Sequence, residues 1–244
     1  MTQRYYVPDL PAAGGVLELP EAEGHHARTV MRLRVGDAVE LFDGRGTVAT
    51  AEITAVSKRQ VTCEAQPCRR RGETPRRSVT VAVGMPKGDR AKFLIEKLTE
   101  LGVTRCVPLR CQRSQWTVSS GALQKWQRAM IEACKQSGRN DLMEIAAPVA
   151  AETWLAAAGE AAAWRLLAHP AAAEGGQLAV GFTQAGQPSS PEQGVAIAVG
   201  PEGGFVEEEV RLATQAGWQA VSLGELVYRI ETAAIVLAAL AMHR

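Results

Sequence analysis

No apolar run in this sequence is long enough to cross a bilayer: the longest, residues 232–242, falls well short of the roughly 20 residues a spanning helix needs. Residues 1–11 lack the basic start and continuous apolar stretch of a secretory leader, so the expected compartment is the cytoplasm. Paired cysteines are missing as well. Cys63, Cys68, Cys106, Cys111 and Cys134 are odd in number in a chain too long to need staples, which fits reduced thiols. The twin four-residue gaps between Cys63 and Cys68 and between Cys106 and Cys111 resemble metal-ligand spacing, but both pairs lie in alternating, strand-like sequence. Buried free thiols are the reading taken, and no metal is expected. Compositional bias is absent too: 46% hydrophobic and 22% charged residues describe an ordinary globular protein.

What is present is length and an uneven spread of charge. At about 100–200 residues per domain, 244 residues favour two domains or one large one. The net charge of +1 hides an asymmetry. Residues 1–145 carry 23 Lys and Arg against 16 Asp and Glu, whereas residues 146–244 carry 4 against 10. The first part can therefore meet a polyanion. Its basic side chains are densest in residues 58–77 and 105–139.

Residues 4–64 read as short strands, at 16–19, 38–42, 47–53 and 60–63, with Asp43-Gly44 as a turn signal. A compact β-barrel-like module follows from that spacing. One helical segment, residues 24–33, interrupts it, with Ala27, Val30, Met31 and Leu33 on one side and His25, Arg28, Arg32 and Arg34 outward. Residues 67–78, rich in arginine and without apolar periodicity, mark the boundary, which divides the chain into domains 1–72 and 73–244. Beyond it the period changes. Strands at 79–83, 106–109, 144–149, 165–168, 195–199 and 220–223 alternate with helices at 89–101, 121–137, 152–158, 206–216 and 231–243. Such alternation predicts an α/β domain with a mostly parallel sheet covered on both faces. Ligands bind such sheets at the carboxyl ends of strands, here the loops after Ala168, Val199 and Leu223.

The second of these loops, Gly200-Pro201-Glu202-Gly203-Gly204-Phe205, lets a backbone approach a ligand closely, yet it is neither a phosphate loop nor a dinucleotide fingerprint. Those motifs set phosphate on a helix N-terminus, and here that terminus holds Glu207, Glu208 and Glu209. A neutral or cationic ligand suits it better, although carboxylates also simply favour a helix start. The loop after Leu223 carries Arg229 and Glu231 at the mouth of an apolar helix, where charges are costly unless they pair with each other or with a ligand. That helix is apolar nearly all round, which implies burial against its own sheet and a partner subunit.

The order Lys87-Gly88-Asp89-Arg90, Glu100-Leu101-Gly102-Val103, Arg113-Ser114, Glu132 through Arg139, Gly200 through Phe205, and Leu223-Gly224 with Arg229, Glu231, Thr232 and Ala233 resembles the ribosomal RNA small subunit methyltransferase E family of the SPOUT superfamily. The resemblance covers essentially the whole chain. It implies an N-terminal PUA-like RNA-binding β-barrel and a C-terminal SPOUT α/β domain with a deep trefoil knot. It also implies a homodimer and S-adenosylmethionine-dependent methylation of ring nitrogen 3 of a uridine in 16S ribosomal RNA.

On that resemblance the cofactor is held by Leu167, His169, Gly200, Glu202, Gly203, Ser222, Leu223, Gly224, Thr232 and Ala233. The catalytic residues are Arg229, stabilising charge, and Glu231, orienting it. RNA is met by Arg28, Arg32, Arg34, Arg113, Lys125, Arg128, Lys135 and Arg139. Two departures stand in the catalytic loop: Leu226 replaces a usual arginine and Tyr228 a usual leucine. The lost arginine motivates the other reading, a non-catalytic dimeric RNA-binding protein on the same fold.

Overall fold

In a computed structural model of the chain the described residues are 2–70, 77–114, 119–157, 162–169 and 193–242. Two compact units emerge. One comprises Met1–Thr74 together with Ile131–Leu142, and the other Pro75–Met130 with Met143–Arg244.

The first unit opens with β1 (Gln3–Tyr6), β2 (Gly15–Glu18) and α1 (Glu21–His25), which runs into a π-helical turn at His26–Val30. It continues with β3 (Ala38–Phe42), β4 (Thr47–Val56), β5 (Val61–Ala65) and β6 (Arg69–Arg70). The sheet order is β1-β3-β4-β5-β2, with β6 on β4. Alternate residues of β3, β4 and β5, among them Val39, Leu41, Ala49, Ala51, Ile53, Val61 and Cys63, pack with Tyr5 into one core. The Asp43-Gly44 turn joins β3 to β4, and the Asp43 carboxylate accepts the backbone N–H groups of Arg45 at 2.7 Å and Thr47 at 3.0 Å. The expected barrel is not closed among the described residues, since β1 and β2 end the path without pairing to each other.

The helix expected at 24–33 also differs. It starts three residues earlier, and the π turn, with one residue more per turn than an α-helix, rotates the following positions. Val30, expected inward, is 61% exposed, while Ala27 remains buried. The stretch 131–142 joins this unit through Arg4, whose guanidinium lies 4.7 Å above the Phe42 ring and donates to the carbonyl of Cys134 at 2.6 Å and to Asn140 Oδ1.

The second unit comprises β7 (Val79–Val83), α2 (Asp89–Leu101), β8 (Arg105–Arg110), α3 (Ser120–Ser137), β9 (Glu144–Ile145) and β10 (Val149–Ala150). After these come α4 (Ala151–Ala156), β11 (Trp164–Ala168), β12 (Val195–Val199), α5 (Glu207–Gln215), β13 (Gln219–Val221) and α6 (Ile230–Met242). The last residues of α3, from Ile131, count with the first unit. The sheet order is β10-β8-β7-β12-β11-β13, with β9 on β8, and every pairing is parallel. The helix α2 ends at Gly102, whose φ of 90° is the left-handed conformation that glycine adopts without steric penalty.

Helices α4 and α5 cover one face, where Leu155, Ala213 and Trp218 join Ala82, Leu167, Ala196 and Ala198 in one core. On the other face α6 packs on β7, β12 and α2. A sheet buried on both sides explains why all five residues of β12 are buried and why its sequence is continuously apolar.

Candidate active site

Strand register brings the expected loops together. Ala168 of β11 lies opposite both Val199 of β12 and Val221 of β13, and Val199 lies opposite Val83 of β7. Four strands therefore end at one level. The ladder continues one step beyond them, with the N–H of His169 donating to Val221 at 3.0 Å and that of Gly84 to Val199 at 2.9 Å. From β7 the chain passes through α2 to β8 on one side, whereas from β12 it passes through α5 to β13 on the other. Helices that diverge from adjacent strand ends open a crevice at the switch point, where α/β sheets bind ligands.

Close packing shapes the glycine-rich loop. A Cβ on Gly84 would stand 2.7 Å from the backbone nitrogen of Pro201, and one on Gly200 would stand 3.0 Å from the nitrogen of Phe205. Glycine is thus required where the first and third strand ends touch. At Gly203 a Cβ would meet Arg113 at 3.2 Å, and the Gly203 carbonyl accepts a hydrogen bond from Arg113 Nη1 at 2.8 Å. Glu209 is buried and accepts the N–H of Val206 at 2.9 Å and of Gln112 at 3.0 Å, which fixes the start of α5 to the loop after β8. Glu208 pairs with Arg211 at 2.6 Å, and that hydrogen bond lowers its carboxyl below the ordinary value. Both carboxylates therefore serve the helix start. Glu202 stays exposed, 3.9 Å from Arg90.

The loop after β13 begins rigid and ends in solvent. Ser222 is buried, and its Oγ donates to the Gly224 carbonyl at 3.0 Å while accepting the Gly224 N–H at 3.3 Å. Leu223 and Gly224 are half-buried, and residues 225–229 are exposed. Arg229 caps α6 through its backbone, its carbonyl accepting the Ala233 N–H at 2.9 Å, while its side chain belongs to an exposed residue. Glu231 is buried in the first turn, and its Oε2 has no hydrogen-bond partner. Among the described residues no hydrogen bond or ion pair joins Arg229 to Glu231, so the expected orienting contact is not formed. The arginine keeps its charge in water instead, and the glutamate gains from the helix dipole. Thr232 is exposed and Ala233 half-buried.

The expected RNA-facing residues separate into two groups. Arg32, Arg34, Arg113, Lys125 and Arg128 are exposed, and Arg28 is half-buried. Arg32 has φ of 54°, a strained value for a residue with a side chain. Lys135 and Arg139 belong to the interior of the first unit. The Lys135 side chain is 9% exposed and pairs with Glu23 at 3.1 Å, and Arg139 pairs with Asp141 at 3.0 Å. Both cations are thus engaged in ion pairs within this unit, which helix periodicity alone does not show. His25, expected to face outward, and Lys58 and Arg59, from the basic stretch 58–77, share a hollow with Arg28. Of the thiols, Cys63, Cys106, Cys111 and Cys134 are buried, and Cys68 is partly exposed.

A family profile described as an RNA methyltransferase domain matches residues 73–242, and one described as an RNA methyltransferase PUA domain matches residues 19–66. The ribosomal RNA small subunit methyltransferase E of Synechocystis is 30% identical over 97% of this chain and 76% of that protein. The chain belongs to the ribosomal RNA small subunit methyltransferase E family. Its fold is that of the methyltransferase E structure from Neisseria gonorrhoeae bound to S-adenosyl methionine, at 28% identity and a TM-score of 0.82 over 98% of this chain and 96% of that one. A methyltransferase of Legionella pneumophila, solved with bound SAM, superposes with a TM-score of 0.86 at 32% identity, covering 99% and 97% of the two chains. A PUA-like N-terminal unit followed by an α/β methyltransferase unit is thus the family architecture in this chain.

Proposed function

We propose that this chain uses S-adenosylmethionine to methylate ring nitrogen 3 of a uridine in 16S ribosomal RNA. The observation that carries the reading is the set of parallel strand ends in register, where an added Cβ would stand 2.7 Å from backbone at Gly84 and 3.0 Å from it at Gly200 of the glycine-rich loop. The residues fit the cofactor. Leu167 and His169 lie at the end of β11, Gly200 and Gly203 follow β12, and Ser222, Leu223 and Gly224 follow β13, strands whose ends are in register; with Glu202, Thr232 and Ala233 these residues would hold the cofactor. An unpartnered, buried Glu231 carboxylate and the exposed Glu202 suit a cationic, phosphate-free ligand. S-adenosylmethionine supplies an electrophilic methyl group on a sulfonium centre.

The chain's own residues do the rest. Ring nitrogen 3 of uridine attacks only after its imide proton passes to solvent water, and the resulting negative charge spreads onto the two flanking carbonyl oxygens. Arg229 holds that charge with planar donors; a guanidinium is a donor only and does not take the proton. Glu231 is the second member of the pair, its free Oε2 available to accept a hydrogen bond from Arg229 when loop 224–229 meets RNA. Its part in this reading is to orient the guanidinium once the loop closes the distance between them, not to take the proton.

In this reading residues 1–72 form the RNA-binding domain and residues 73–244 the catalytic domain, whose C-terminal segment carries the trefoil knot. The chain acts as a homodimer in the cytoplasm, on 16S ribosomal RNA or the small subunit. Transfer of labelled methyl from S-adenosylmethionine to ribosomal RNA or intact small subunits tests it. The expected result is incorporation at uridine; binding of RNA without incorporation would leave only the non-catalytic reading.

A further inference from the structure

The first unit holds a hollow lined by Glu21, Ala22, His25, Arg28, Lys58 and Arg59. Two segments far apart in sequence build it. Glu21, His25 and Arg28 follow one another at four and three residues and so share one side of α1 and the π turn after it. Lys58 and Arg59 form the tip of the turn between β4 and β5. There the Ser57 hydroxyl accepts the backbone N–H of Arg59 at 3.3 Å and of Gln60 at 3.0 Å, so the tip is pre-shaped.

The two segments are drawn together at the start of β5. Leu19, just before α1, donates its N–H to the Val61 carbonyl at 3.0 Å. A Cβ on Gly24 would meet the Val61 side chain at 3.9 Å, so the helix lies directly against the strand that follows the tip.

The charge of this hollow is uncompensated. Three cations, Arg28, Lys58 and Arg59, face one carboxylate, Glu21, and among the described residues none of the three forms an ion pair. Nη1 of Arg28 is buried without a hydrogen-bond partner. No Phe, Tyr or Trp lines the hollow, and cationic side chains outnumber every other kind in its lining. Its chemistry is that of an oxyanion held by several fixed donors. We propose that this hollow grips the phosphate backbone of the substrate RNA, with Arg28, Lys58 and Arg59 as the contacts and His25 as an adjoining donor. The proposal rests on the reading of the chain as a ribosomal RNA methyltransferase and adds an anchoring site in the first unit. It supplies affinity and register on the RNA, since backbone contacts carry no base information.

The test uses the full chain and 16S ribosomal RNA. Affinity is measured across a range of salt concentrations for the wild type, for Lys58→Ala combined with Arg59→Ala, and for Lys92→Ala combined with Lys97→Ala as a control on α2. Each phosphate-contacting cation contributes about one unit of slope. The hollow variant is expected to lose between about one and two units and to bind more weakly at low salt, with S-adenosylmethionine affinity unchanged. The control should keep the wild-type slope. Glu21→Gln, which removes the opposing carboxylate, should tighten RNA binding. An unchanged slope in a hollow variant that still binds S-adenosylmethionine overturns the anchoring site and leaves the methyl-transfer reading standing. A wild type that binds neither 16S ribosomal RNA nor the small subunit overturns both.

Discussion

Single residues set what the candidate site can hold. Gly84 is the plainest case, because an added Cβ would stand 2.7 Å from backbone rather than from a movable side chain. Gly84→Ala must therefore displace Pro201 and the loop it begins. We expect a folded protein destabilised by roughly 1–3 kcal/mol whose affinity for S-adenosylmethionine falls more than tenfold by calorimetry. Gly203→Val should weaken binding too, but the atoms it meets belong to Arg113, an exposed side chain that can yield. If Gly84→Ala bound the cofactor normally, the crevice would lie elsewhere. Arg229 tests the chemistry rather than the cradle. Arg229→Lys keeps the charge but loses the planar donors, and single-turnover methylation should fall on the order of a hundredfold. A near-normal rate in a folded, cofactor-binding variant would remove Arg229 from the mechanism.

Elements show how far the sequence was legible. The strands β3, β7 and β12 and the helix α2 have the bounds their periodicity predicts, because each buries a regular pattern and ends on a turn or glycine signal. The strand-end loops were legible for the same reason: alternation of strands and helices dictates a parallel sheet. Two features had no local signal. The π turn moves Val30 outward through a change in hydrogen-bond register that composition does not encode. The docking of 131–142 on the first unit depends on Arg4 and on the Glu23–Lys135 pair, residues more than a hundred positions apart. For that reason the Lys135–Glu23 pair was not legible in the sequence. Burial raises the Glu23 carboxyl above its ordinary value and the Lys135 charge partly offsets this. Lys135→Ala strands the carboxylate, and urea unfolding should show a loss of roughly 3 kcal/mol or more. A change under about 0.5 kcal/mol, the size typical of surface substitutions, would mean that the pair is solvated.

For the whole molecule, the buried thiols set an alkaline limit on stability. Burial pushes Cys63 and Cys134 up to about 11 and Cys106 and Cys111 up to about 12, against an ordinary thiol value of 9.0. Thiols exposed by unfolding ionise first, so the folded state binds the extra protons. The contribution is complete below pH 9.0 and is lost as pH rises toward 11 and 12. The melting temperature should therefore fall steeply above about pH 9, with thiolate absorbance beyond that of the partly exposed Cys68 appearing only as the fold is lost; ionisation of the four buried thiols in the intact fold near pH 9 would contradict the burial. At this scale one chain joins a PUA-like unit to an RNA methyltransferase unit whose glycine-rich loop is acidic. The most direct measurement is mass mapping of methylated nucleosides in 16S ribosomal RNA from cells with and without this chain. The expected result is a 3-methyluridine at one position that disappears without the chain and returns with the wild type but not with Arg229→Lys. An identical set of methylated nucleosides in both cell types would contradict the account.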